Sequence, residues 1–155
     1  MTTPPDRPET SAVRAALLDD VARSWDDLLD AVDGLDERQL LAPGPEGWSI
    51  KDHLAHLSSW ERYLLVRLDG REPAAAMGLD GWPATVDAVN AELQALNGGS
   101  SLAEVRRRLD ETHAEVLDRL MSLDRAQLDR WLGLIEGNTH AHVREHLAWM
   151  RALVG

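Results

Sequence analysis

The chain has 155 residues, 44% of them hydrophobic, the size and apolar content of a single domain with its own core. Its formal net charge of -11 opposes nucleic acid and anionic membranes as partners, because phosphate is held by basic patches that release counterions. The absence of cysteine excludes disulfides, thiolate ligands and a cysteine nucleophile.

Met1 to Thr10 is polar and proline-rich, with neither a basic start nor an apolar stretch, and reads as a flexible tail (residues 1–10) rather than a signal peptide. Nothing downstream approaches the ~18 apolar residues of a membrane span. The expectation is a cytoplasmic protein with one domain over residues 11–155. From Ser11 to Val32, the residues Val13, Leu17, Val21, Trp25, Leu28 and Val32 recur at helical spacing, and Gly34 supplies a stop. Ala42 to Gly47 is loop chemistry. Ser49 with Asp52 then forms a capping box that opens a second helix, running to about Leu68. Gly70, Pro73, Gly78, Gly81 and Pro83 break the following segment, and Val86, Val89, Leu93 and Leu96 suggest a short extra helix ending at Gly98. Ser101 and Glu104 make another capping box, opening a long helix to about Met121. Its Arg106, Arg107 and Arg108 point in different directions among Glu104, Asp110 and Glu111, so they form no basic patch. A last helix follows Gly137, with Asn138 as its expected cap.

Residues 28–40 and 116–128 match at six of thirteen positions, including Leu35/Leu123, Asp36/Asp124 and Gln39/Gln127. Duplication and a shared helix-exit composition account for this equally well. Either way, two helix pairs packed as an all-α four-helix bundle are expected.

His142 and His146 lie four residues apart on the last helix, the usual way one helix offers two metal ligands. At about 100° per residue they share the face of Trp149 and Leu153, whereas His140 falls about 160° away, toward solvent. Two imidazoles on an apolar stripe need polar partners, which favours a metal or catalytic use. Two imidazoles hold an ion weakly, so a third ligand must come from another helix. Periodicity on the second helix favours His53, about 40° from its apolar stripe, over His56 at about 100°, although an edge position suits an ion reached by solvent. His113 falls on the margin of its helix's stripe and reads as a boundary residue.

Trp48, Ser49, Ile50, Lys51 and Asp52, then His56, Trp60 and Glu61, and finally Asn138, Thr139, His142, Glu145 and His146 together resemble the DinB/YfiT-like superfamily of metalloenzymes, in particular its ClbS/DfsB-type branch. The resemblance covers nearly the whole chain. It implies an up-down-down-up bundle, a homodimer, and a divalent ion held by His56, His142 and His146, which overrides the preference for His53. Some members of the branch lack the three histidines, so the cyclopropane opening associated with it is a less secure guide to this chain. The relatives also suggest thiol-dependent transfer with a low-molecular-weight thiol, hydrolytic detoxification, or sequestration of a small molecule without turnover.

Three imidazoles leave coordination positions open for water or substrate, with zinc and nickel the expected ions. Glu61 and Glu145 are candidate general bases, and Asp52 is a helix cap before it is a partner of His56. Trp60 and Trp149 read first as core residues and second as walls of a pocket. The glycine-containing connection from Asp69 to Ala84, with Met77 and Trp82, is a candidate lid.

Overall fold

The computed structural model describes residues 7–155. Every regular element among them is helical: α1 (Pro8–Asp33), α2 (Glu37–Leu41), α3 (Ile50–Leu68), a 3₁₀ turn (Ala75–Met77), α4 (Val86–Asn97), α5 (Leu102–Ser122), α6 (Arg125–Asn138) and α7 (His140–Val154). No described helix is long and apolar enough to cross a membrane.

Four of them close a ring, in which α1 packs on α7 and α5, and α3 packs on the same two. This is the expected bundle. One end of its interior is filled by Trp25, Leu28, Leu54, Leu57, Leu109 and Met150, the other by Leu17, Val21, Leu64, Val116, Leu120 and Ile135. Burial of this apolar surface is the main term holding the helices together. The extra helix α4 lies on α3, where Trp60, Met77, Leu79, Val89 and Leu93 form a separate apolar cluster.

The capping boxes at Ser49/Asp52 and Ser101/Glu104 are both formed as expected. Three boundaries differ from the sequence reading. First, α1 begins at Pro8, whose fixed φ suits the first helical turn, and Thr10 is buried; the tail therefore excludes residues 8–10, while residues 1–6 lie outside the described range. Second, two further helices open where only connections were expected. Asp36 and Gln39 form a reciprocal capping box that starts α2, and Asp124 and Gln127 form another that starts α6. Third, Asn138 does not cap the last helix. Its side-chain amide donates to Leu134 O within α6, and the break comes at Thr139, at φ -121° and ψ -113°. The Thr139 hydroxyl donates to Ile135 O at 2.7 Å while the Thr139 carbonyl accepts from Val143 N, tying the end of α6 to the first turn of α7.

Candidate metal centre

Two helix starts aim the histidines. On α3, Ser49 is buried and bonded in both directions to Asp52, which fixes the first turn immediately before His53 and His56. Trp48 braces both rings, with centroids at 5.2 Å from His53 and 5.1 Å from His56. On α7 the break at Thr139 sets the helix direction, and His142 and His146 meet the α3 histidines across the bundle.

One ligand nitrogen from each of His56, His142 and His146 can be chosen so that all lie within 4.8 Å of one another. His56 Nε2 and His142 Nε2 are 3.1 Å apart. With ion–nitrogen bonds of about 2.0–2.1 Å, that 3.1 Å separation subtends about 100° at an ion, near the tetrahedral value. The donor set therefore fits a divalent ion. One proton can bridge two neutral imidazoles at this distance, whereas an ion would use both lone pairs. The Nδ1 atoms of His56 and His142 are buried with no hydrogen-bond partner, so the cluster is incompletely satisfied by protein alone.

His53 has a different role from the one periodicity favoured. It is buried and faces inward, but its Nδ1 lies 2.8 Å from His146 Nδ1 and it does not join the three-histidine group. If His146 Nδ1–H donates to His53, the remaining nitrogen of His146, Nε2, is left with its lone pair free. Burial keeps all four rings neutral at ordinary pH. It pushes His56 down to about 3, helped by His142 and His53, and His142 down to about 4. Burial, with the neighbouring His56, His142 and His53, takes His146 down to about 2. His53 is also lowered by burial, an effect partly opposed by Asp52. Neutral imidazoles are the form in which histidine binds a metal.

The histidines open into a cavity of about 900 Å³, walled by Trp48, Trp60 and Trp149, by Asn90 and Gln94 of α4, and by Asn138. Glu145 also lines it and is exposed. Glu61 does not. Its carboxylate, 1% exposed, turns toward α5, where it accepts from His113 Nδ1 at 2.9 Å; burial raises its pKa, opposed by that bond and by the His113 charge. His113 is accordingly buried instead of marginal, with its ring stacked on Trp25 at 3.5 Å and 1°.

Three other expectations change. His140 is buried, because α6, absent from the sequence reading, packs against α7; it remains outside the ligand group. Trp149 is 50% exposed, since the face it shares with the histidines opens into the cavity, whereas Trp60 is buried and donates to Asn90 Oδ1 at 3.0 Å. The connection from Asp69 to Ala84 contributes no lining residue. Met77 and Leu79 anchor it beside Trp60, and Trp82 stacks on Tyr63, while α4 supplies the cavity wall. Asp87, Asn90 and Gln94 are polar residues of that wall which apolar periodicity does not single out; a polar residue one position after buried Val89 on an amphipathic helix is the available signal for Asn90.

An all-α bundle carrying three convergent, neutral histidines at a solvent-open cavity defines a protein with a candidate metal centre. The DinB superfamily profile matches residues 20–152, and the chain belongs to that superfamily. Its fold is similar to the solved structure of the sibling lethal factor precursor DfsB, with a TM-score of 0.72 and 20% sequence identity over 90% of this chain and 93% of that one. At that identity the likeness concerns the fold. No curated protein matches the sequence.

Proposed function

We propose that this protein is a divalent-metal-dependent enzyme acting on a small molecule, with the ion held by His56, His142 and His146. The convergence of three ligand nitrogens within 4.8 Å at the wall of a large cavity carries this reading. Zinc or nickel suits three imidazoles, and a low-molecular-weight thiol is the proposed cosubstrate of a transfer reaction; hydrolytic detoxification is the other chemistry the site suits. Such an ion, when bound, lowers the pKa of water or a thiol, or polarises a carbonyl.

The chain's own residues supply the rest. Burial keeps the imidazoles deprotonated, His53 holds His146 in one tautomer, and Trp48, Trp60 and Trp149 offer an apolar wall that limits water around a bound ligand. Glu145, beside the histidines and open to solvent, is placed to accept a proton and release it to bulk water. Sequestration without turnover is the competing reading, favoured by a cavity large enough to enclose a whole drug-sized molecule. The superfamily resemblance supports a homodimer, which sedimentation of the purified protein would test.

Elemental analysis of untreated protein should find one divalent ion per chain, lost in His142→Ala and His146→Ala. A metal-free preparation that cannot be reloaded refutes the proposal. Product analysis after incubation with a thiol and an electrophile separates the two readings, since recovery of the unchanged ligand indicates sequestration.

A further inference from the structure

The charges around the cavity are all of one sign. Its charged lining residues are Glu46 from the loop before α3, Asp87 from the first turn of α4, and Glu145 from α7, with no lysine or arginine among them. The carboxylates come from three separate elements, and all three are exposed. None is paired with a cation among the described residues.

Trp48, Trp60 and Trp149 line the same cavity, and their ring faces favour apolar groups and cations. The histidine wall differs in character. The histidines there are neutral, and His56, only 5% exposed, lines the cavity with its Nδ1 unpartnered. The histidines thus suit an uncharged or electron-rich group, the tryptophans an apolar stem, and the exposed carboxylates a positive charge.

We infer that the ligand of this cavity is an amphipathic cation, an apolar molecule carrying a protonated amine or amidine at the end that faces Glu46, Asp87 and Glu145. The inference rests on the cavity being the small-molecule site of the proposed function, and it does not require an ion to be bound. It also narrows the thiol cosubstrate. A thiol bearing carboxylates meets three like charges on the cavity lining, so a neutral or amine-bearing thiol fits better.

The test uses three probes with the same aryl-propyl body and different tail charge, phenylpropylamine, phenylpropanol and phenylpropanoate. Binding is read from tryptophan fluorescence at low ionic strength. Chelator-treated protein is used first, so that a carboxylate cannot bind through an ion. The amine should bind roughly tenfold more tightly than the acid, with the alcohol between them, and added salt should compress the order. Glu46→Gln, Asp87→Asn and Glu145→Gln combined should abolish the preference while leaving the alcohol's Kd unchanged, which shows that the cavity is intact. Equal or tighter binding of the acid overturns the inference, as does a preference that survives the triple substitution or a failure of all three probes to bind. Elemental analysis keeps the two readings apart. A charge order without a retained ion retires the metal-dependent reading alone, whereas a retained ion without a charge order retires this one.

Discussion

Acidification should unfold the metal-free protein well above the pH at which carboxylates titrate. In the unfolded chain His56, His142 and His146 titrate near ~6.5, whereas in the fold burial lowers them to about 3, 4 and 2. Below pH ~6.5 the unfolded state therefore binds more protons than the native one, and stability falls as pH falls, until each folded pKa is passed. At about pH 5 each histidine contributes a loss of about 2 kcal/mol, from about 1.5 pH units below the unfolded pKa. His142 is only half-buried, so its share is trimmed, and the three together give about 4 to 6 kcal/mol, comparable with the whole stability of many domains. Glu61 works in the opposite direction, because its raised pKa favours the fold on the acid side, but it is one group against three. Urea titration with a chelator present, followed by tryptophan fluorescence, should move the midpoint down by roughly 2 M between about pH 7.5 and about pH 5. A midpoint that stays constant over that window refutes the neutral, buried histidine cluster. So does an equal decline when all three residues are replaced by Gln.

Other substitutions separate the roles assigned to neighbouring residues. His53→Leu should weaken ion binding roughly 10- to 100-fold without changing its stoichiometry, because His146 Nδ1 loses the ring nitrogen it is bonded to and with it the partner that sets its tautomer. His53→Asn should recover part of that loss, and unaltered affinity in His53→Leu would remove His53 from the centre. Glu61→Ala leaves His113 without its acceptor and should cost about 1 to 3 kcal/mol in denaturant unfolding with the ion content unchanged; loss of the ion would instead connect Glu61 to the site. Ser49→Ala removes the α3 cap and should cost about 1 kcal/mol, with a null effect in urea contradicting the capping role.

Much of the bundle was legible because its signals are local. Apolar spacing marked the helices on either side of Ser49 and Ser101, and the two Ser-x-x-acid boxes marked where helices begin. The missed helices had the same kind of signal in another spelling. Asp36-x-x-Gln39 and Asp124-x-x-Gln127 are reciprocal caps, and they form the shared core of the internal echo. The echo therefore reflects one helix-starting device used twice, whatever its ancestry. Missing α6 led directly to the misplacement of His140. At the site, helical phase showed which residues face inward but not what they meet there. It placed Glu61 toward a core without revealing His113 opposite, and it put Trp149 on a buried stripe that the fold opens into a cavity. Phase favoured His53 over His56, yet both are buried, and it is the three-nitrogen grouping with His142 and His146 that selects His56.

Helix α3 thus faces two buried polar clusters of different chemistry, a carboxylate paired with one imidazole and a group of four imidazoles. Toward α5, Glu61 Oε1 accepts from His113 Nδ1 at 2.9 Å and His113 stacks on Trp25, while the second carboxylate oxygen, Oε2, is buried without a partner. Toward α7, four histidines crowd together with two unpartnered Nδ1 atoms and no carboxylate bonded to any of the rings. A fold selected for stability alone would place apolar side chains there, since each unsatisfied buried polar atom costs about 1 to 3 kcal/mol. An ion held by the Nε2 atoms leaves those Nδ1 atoms as they are, but its binding free energy would offset the cost of burying the cluster, and the stabilisation grows with the free ion concentration relative to its Kd. The same helix therefore contrasts an acid–imidazole pair turned away from the cavity with convergent imidazoles at the cavity wall, whose burial cost is best explained by what they bind.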